Sequence, residues 1–487
     1  MNSPAFARLW TWDWRWGAVI LLAVLIGLNA SAVAGNPVFW IGLAGLVLYG
    51  LLLWESIRNP MVFVFTFLAV LILLPPFFFR RTGENPVFVS TLLAPVGLAV
   101  IVVRWQSWSR RLDSIGKGLL TFLVGIGLSL PFAFVLSGDK IGWESLFRWL
   151  MLAQMGLVYW IIRTNCSGTA CARIIPWLIV AAVIAAAYGI FDFFWPVPIP
   201  HPSADQYIWS ESAVIRRAQG VFYESCNFAN FCGFFLLVTA GAVLTGRERL
   251  LRIRRIYLLL FIVVLALAVL FAFSRSAWGS LLLSLSVLVL VSGRVRIGRT
   301  LLFSAALGIP LLLVGLWTPE IWHNLVAARI GSFSQILIDP DSVSSGRLSV
   351  WARVVSILFD NPQYLVFGIG YKTLPFTRLF HGEIITDNGY LSLLLESGIL
   401  GLVGFLAFSR SVLGTFLSLA RSARGTAAFW SALLFSLWCG EIVQMLAADA
   451  HTYWRNLIVY TALMACTLNM SESESGQQAS ALAEGSA

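Results

Sequence analysis

Charge is what this sequence has least of. Only 11% of its 487 residues are Asp, Glu, Lys or Arg, where a soluble domain carries about 25%. That shortage excludes an ordinary water-soluble globule, and the mean hydropathy of +0.84 points the same way. Cysteine is scarce as well, with six residues at 166, 171, 226, 232, 439 and 466 and no CxxC or Cys/His spacing. No metal site is expected from such a set. Cys166 and Cys171 fall in a loop assigned below to the cytoplasm, which argues against a disulfide framework. The surplus of positive charge, +10, does not point to nucleic acid. The arginines sit in short loops between apolar runs, the pattern that records membrane orientation.

What the chain does have is apolar runs of about 20 residues, the length that crosses a bilayer as a helix. About fourteen are legible: 16–34, 37–54, 60–78, 86–103, 117–136, 146–163, 174–195, 227–245, 256–273, 276–293, 299–317, 388–408, 428–446 and 454–469. They are too long and too continuous for barrel strands. The expected fold is an all-α polytopic membrane protein of 12–14 transmembrane helices. Arg8 and Arg15 precede the first run and "NASAVAG" follows it, as around a cleavable signal. The many spans that follow favour a retained first helix.

Arginine-rich loops at 104–117, 246–255, 294–299 and 409–427 fall on one side when spans alternate, and that side reads as the cytoplasm, with both termini. Two longer segments, 196–226 and 318–387, fall on the other. The organisation expected is N-terminal helices over 1–195, central helices over 196–317 with a periplasmic loop at 196–226, and a large folded periplasmic loop at 318–387. C-terminal helices follow over 388–470, and 471–487, "SESESGQQASALAEGSA", reads as a disordered tail.

Arg275 is the only charge between Ile256 and Gly293. It falls at the outer turn between two spans, which spares it the bilayer centre, where an arginine costs roughly 2.5–3.5 kcal/mol to insert. It is either a snorkelling arginine or a buried cation set for an anion. Three other stretches share that face. "IRRAQGVFYESCNFANF" (215–231) offers Arg216, Arg217, Glu224, Asn227 and Asn230. "SGRLSVWARVVSILFDNPQYLVFGIGY" (345–371) offers Arg347 and Arg353. "TDNGYLSLLLESGILG" (386–401) offers Asp387 and Asn388. Arginine clusters grip phosphate bidentately and stay charged. A ligand with a diphosphate head and an apolar tail fits, and so does a departing diphosphate whose charge is stabilised as it develops. A carboxylate beside it would serve as base toward an incoming hydroxyl. Such a transferase needs no nucleotide and no cofactor.

These four blocks, with "FSRSAWGSLLL" as the second, resemble the O-antigen ligase/polymerase superfamily of bacterial envelope glycan enzymes across roughly 210–410. The resemblance implies an inverting, metal-independent glycosyltransferase of the C-type, multi-pass in the inner membrane, with its active site at the periplasmic face. Its donor would be an undecaprenyl-pyrophosphate-linked glycan held by Arg217, Arg275 and Arg347. A chain-length regulator and a flippase are the protein partners this reading leaves open. Ligases of the family typically carry a histidine before the asparagine of the fourth block. Here Asp387 precedes Asn388, which favours a polymerase of repeat units, of O-antigen or exopolysaccharide, over a ligase acting on lipid A-core or protein. Asp387 is then either the base or an acidic helix cap, and His381, six residues upstream, is the second candidate for the base. Arg216, Glu224, Asn227 and Asn388 complete the expected substrate-binding set.

Glu396, Glu441 and Gln444 lie inside spans, where hydrogen bonding to neighbouring helices is the simpler role. The "DPD" at 339–341 reads as a turn, His201, His323 and His451 as polar loop residues, and Trp278 and Trp351 as belt residues or sugar platforms. A transporter is the alternative of another class. It should show repeats and interrupted mid-membrane helices, and no repeat is legible.

Overall fold

The computed structural model describes residues 37–75, 88–105, 112–196, 206–209, 214–222, 224–292, 341, 346–377, 379–380, 384–423 and 425–485. Among them the helices are α1 (Pro37–Arg58), α2 (Pro60–Leu73), α3 (Val89–Val103), α4 (Ser114–Gly127), α5 (Leu130–Ser137), α6 (Asp139–Asn165), α7 (Gly168–Phe194), α8 (Ser225–Thr245), α9 (Arg255–Phe271), α10 (Arg275–Ser292), α11 (Arg347–Asp360), α12 (Gly389–Ser422), α13 (Gly425–Gln444) and α14 (Trp454–Gly485). A short antiparallel hairpin, β1 (Tyr207–Trp209) with β2 (Val214–Arg216), is the sole departure from an all-helical plan among the described residues. It was not foreseen.

Among the described residues seven helices are long and apolar enough to cross a membrane: Ser114–Ser137, which joins α4 to α5, and α6, α7, α8, α10, α12 and α13. Helices α2, α3 and α9 are shorter and apolar. The chain is thus an all-α polytopic membrane protein. The expected spans at 16–34 and 299–317 lie outside the described residues. Helix α8 is the axis: its apolar window is wholly buried, and α9, α10, α13 and α14 pack around it.

The N-termini of α8, α10, α12 and α14 gather at one end of the bundle, called here the site end. Of the long loop expected at 318–387, the described part is α11 and the turns after it. It carries a small core of its own, with Val354, Ile369, Leu374, Phe380 and Ile384 packed on Leu395 of α12. Asp341 accepts from the amides of Leu348 and Ser349 at 3.0 and 3.2 Å, so its carboxylate caps the start of α11.

Helix α12 is interrupted. At Gly398 the backbone takes φ 64° and ψ −170°, a region open essentially to glycine alone, and a Cβ there would strike the Val366 carbonyl. The loop beside it fills the gap. Ile369 N donates to Leu395 O (3.1 Å), Gly370 N to Glu396 O (2.9 Å), and Ile399 N to Leu365 O (2.8 Å). Irregular backbone in a membrane bundle is tolerated where protein satisfies it in this way.

At the opposite end the structure corrects one expectation. Residues 471–485 continue α14. Glu472 pairs with Arg163 at 2.7 Å, and Arg163 also holds Asp113 at 2.7 Å. Glu474 accepts from Thr426 N at 3.2 Å and so serves the start of α13. Polar composition alone suggested disorder; tertiary partners for the two carboxylates order the segment instead.

Candidate functional site

Each residue of the site is carried to one rim by its own segment. Arg217 follows β2. Its Nε donates to Ala272 O at 2.9 Å and its Nη2 contacts Cys226 Sγ at 3.3 Å, while Ala218 N donates to Phe271 O. The 217–218 backbone is therefore stitched to the turn that ends α9, and Arg275 opens α10 shortly after that turn. The guanidinium of Arg275 lies close enough to that of Arg347 for the two to repel. Arg347, at the first position of α11, places Nε and Nη2 each 3.1 Å from Oδ2 of Asp387. Arginines 217, 275 and 347 and the carboxylate of Asp387 thus converge, although α8 to α12 separate them in sequence.

Asp387 is not a helix cap. That role belongs to Asn388, whose Oδ1 accepts from Tyr390 N at 3.1 Å and Leu391 N at 3.2 Å. The Oδ1 of Asn388 is thereby engaged by the start of α12. Asp387 itself sits at φ 44°, which aims its carboxylate at Arg347 rather than along the helix. Phe273 (φ 50°) and Lys372 (φ 57°) also adopt left-handed backbone here. Such non-glycine residues cost of order 1–3 kcal/mol each and cluster at functional sites.

Lys372, one of three lysines in the chain, was missed in the sequence. Its Nζ lies 3.7 Å from Oδ2 of Asp449, and the Thr386 hydroxyl donates to the other carboxylate oxygen at 3.3 Å. Its backbone is fixed from α6: Arg148 donates to the Lys372 carbonyl at 2.6 Å and Ser145 to that of Tyr371 at 2.5 Å. Burial pulls the Lys372 ammonium down, but Asp449, Glu396 and Glu224 outweigh it and leave it above the usual lysine range. Burial pushes the Glu224 carboxyl up. Lys372 and Arg217 oppose that shift, and Asp449 and Asp387 add to it. Arg217, Arg275, Arg347 and Lys372 therefore share this end with Glu224, Asp387 and Asp449, while Glu396 acts on Lys372 from the break in α12. Beneath them His451 is buried with neither ring nitrogen hydrogen-bonded. Burial and then Lys372 hold it well below its ordinary range, so the ring is neutral. Only the "DAHTYWR" polarity between the last two spans could have flagged Asp449 and His451.

Other expected residues lie elsewhere. Arg216 pairs with Asp192 of α7, Nη2 to Oδ2 at 3.1 Å, and donates to the Asp192 carbonyl. Asp192 is fully buried, so this arginine anchors β2 on the bundle. Asn227 is buried one turn inside α8, where its carbonyl accepts from Asn456 at 3.0 Å. His381, His201 and His323 fall outside the described residues. Trp351 donates its indole N–H to Thr386 O at 2.8 Å and Trp278 to Val269 O at 3.0 Å. Both tryptophans therefore brace the rim. Glu396, at the break in α12, accepts from Leu374 N at 3.0 Å. Glu441 and Gln444 both accept from Asn230, at 2.6 and 2.8 Å, and Asn230 in turn accepts from Asn456 and Tyr460. Glu441 and Gln444 thus bond a neighbouring helix as their positions inside spans suggested, whereas Glu396 holds the loop after α11.

At the far end of the bundle, a cavity of about 580 Å³ is lined by Arg173, Arg252, Thr426 and Glu474 among others. It is remote from these groups. Among the described residues no cluster of His, Cys, Asp and Glu could hold a metal ion.

No curated protein matches the chain. A family model described as O-antigen ligase does match, over residues 260–406, an interval that contains Arg275, Arg347, Lys372 and Asp387. Over that segment the chain is similar to the O-antigen ligase family, and three of the four sequence blocks fall within it.

Proposed function

We propose that this protein polymerises undecaprenyl-pyrophosphate-linked repeat units at the periplasmic face of the inner membrane by inverting glycosyl transfer. The family match supports a membrane enzyme of the glycosyltransferase kind. The observation that carries the finer reading is the convergence of Arg217, Arg275 and Arg347 with Asp387 at one rim. Three guanidinium groups suit a diphosphate, and they surround the place where negative charge grows as the lipid diphosphate departs. The bundle sides beside the rim are apolar and suit the polyprenyl tail.

In the proposed cycle the arginines hold the diphosphate of the growing chain. A carboxylate of the cluster takes the proton of the acceptor unit's sugar hydroxyl. The oxygen attacks the anomeric carbon from the face opposite the diphosphate, and the configuration inverts. No metal and no nucleotide enters the scheme.

The ligase reading has one observation in its favour, the description of the matching family as O-antigen ligase. Against it stands aspartate, not histidine, before Asn388. The interrupted α12 invites comparison with transporters, but its gap is filled by the protein's own 365–370 backbone, which favours a rigid element over a moving gate. Purified protein given the lipid-linked unit alone separates these readings. A polymer ladder without added acceptor supports polymerisation. A product seen only when core glycan is supplied supports ligation, and movement of lipid-linked glycan across liposomes without a new glycosidic bond overturns both.

A further inference from the structure

Three carboxylates stand at the site end, and two are engaged. Asp387 gives Oδ2 to two nitrogens of Arg347. Asp449 faces Lys372 with one oxygen and accepts the Thr386 hydroxyl with the other. Among the described residues no hydrogen bond or ion pair reaches the carboxylate of Glu224. Its position makes that unusual. Glu224 is the N-cap residue of α8 yet makes no side-chain cap bond. Gln206, just before β1, has taken over: its Oε1 accepts from both the amide (3.1 Å) and the hydroxyl (2.6 Å) of Ser225. With the helix start served from elsewhere, the Glu224 side chain is left open toward Lys372, Asp449, Asp387 and Arg217.

We propose that Glu224, not Asp387, is the proton acceptor for the incoming sugar hydroxyl, and that Lys372, held by Asp449, is the positioning residue that orients it. This rests on the glycosyl-transfer reading above. The groups that face Glu224 are Arg217 from the segment just past β2, Lys372 from the loop after α11, Asp387 before α12, and Asp449 and Tyr453 between α13 and α14. They include both signs, so the carboxylate is neither pinned by one cation nor isolated. Burial raises it toward neutrality, where a general base works best.

In the step, the acceptor O–H proton passes to the Glu224 carboxylate. The hydroxyl oxygen's electron pair forms the new bond to the anomeric carbon. The old bond from that carbon to the diphosphate oxygen breaks, and its pair leaves on the diphosphate, among Arg217, Arg275 and Arg347. Once product and lipid diphosphate have gone, the proton on Glu224 is lost to water.

The experiment compares full-length wild type, Glu224→Gln, Glu224→Asp and Asp387→Asn in proteoliposomes with lipid-linked repeat unit. Glu224→Gln is expected to lower kcat by about 10²- to 10⁴-fold, the span of general-base catalysis, with donor KM unchanged. Glu224→Asp should recover part of kcat and move the acid limb of the pH–rate profile, and formate should partly rescue a Glu224→Gly variant. Asp387→Asn should act on donor KM. A Glu224→Gln protein with wild-type kcat overturns the assignment while the enzyme reading stands. So does loss of donor binding in step with kcat, or an acid limb that stays in place in Glu224→Asp. If Glu224→Gln does not fold, the Glu224→Asp profile and formate rescue decide. A wild type that transfers no glycan, in the presence or absence of added acceptor, instead overturns the proposed function.

Discussion

Arg347 and Asp387 meet at 3.1 Å across forty residues of chain, with two guanidinium nitrogens on one carboxylate oxygen. A diphosphate arriving at this rim must compete with Asp387 for Arg347. Removing the arginine deletes charge-assisted bonds worth about 1.5–3 kcal/mol, so Arg347→Ala should raise donor KM by roughly 10- to 100-fold. Asp387→Asn, which removes the competitor, should lower it. Steady-state kinetics at varied donor concentration checks both directions, and a common rise in KM for the two variants would contradict the competition.

Glu224 predicts a pH dependence of stability. Its folded carboxyl titrates above the ordinary carboxylate range, so between the two values the folded chain holds a proton that the unfolded chain has lost. Its contribution is therefore complete below the ordinary carboxylate range and is lost as pH rises through the raised value. Glu224→Gln should melt at or above the wild-type temperature at pH 7 and show a flatter curve from pH 7 down to pH 5. Thermal melts in detergent across that range measure it.

Arg455 is a structural arginine. It is buried at the start of α14 and donates to Leu71 O (3.0 Å), Leu74 O (3.1 Å) and Val221 O (2.6 Å). Its guanidinium lies over the rings of Phe88 (5.2 Å) and Phe222 (4.5 Å). Arg455→Leu would leave three carbonyls unmet, at about 1–3 kcal/mol for each buried group. The variant should be recovered in low yield and melt well below wild type. Arg455→Lys should fall between them, because an ammonium cannot match the planar fork.

Truncation after Met470 tests the ordered end of α14. The variant loses Glu472 from Arg163 and Glu474 from the start of α13. Loss of a cap costs about 0.5–2 kcal/mol, so the melting temperature should fall by several degrees with activity per folded molecule retained. In the intact chain, limited proteolysis should spare residues 471–477.

Gly398→Ala should abolish folding or activity, because the α12 break needs its backbone geometry and the space beside Val366. Gly414→Ala, on the same helix with open space around it, should be neutral. Comparing the insertion and melting of the two variants separates a requirement at the break from a general intolerance of α12.

Hydropathy by itself determined that the chain is a polytopic bundle of apolar helices, because lipid imposes its demand on each stretch of twenty residues separately and the sum is local. Alternation of spans then assigned Arg217, Arg275, Arg347 and Asp387 to a common end, and the folded chain brings them together there. What the linear pattern could not supply was partnership. Arg216 and Arg217 are adjacent and identical in type, yet one ends β2 tied to Asp192 and the other, just past the strand, joins the rim. Asp387 looked fit to be either the base or the cap of α12, and the folded chain gives the cap to Asn388 instead. Lys372 and Asp449 lie 77 positions apart with unremarkable neighbours, and the packing of Tyr371 and Lys372 on α6 accompanies their approach to 3.7 Å. Pair energies between charges depend on distance and burial, which belong to the tertiary structure alone.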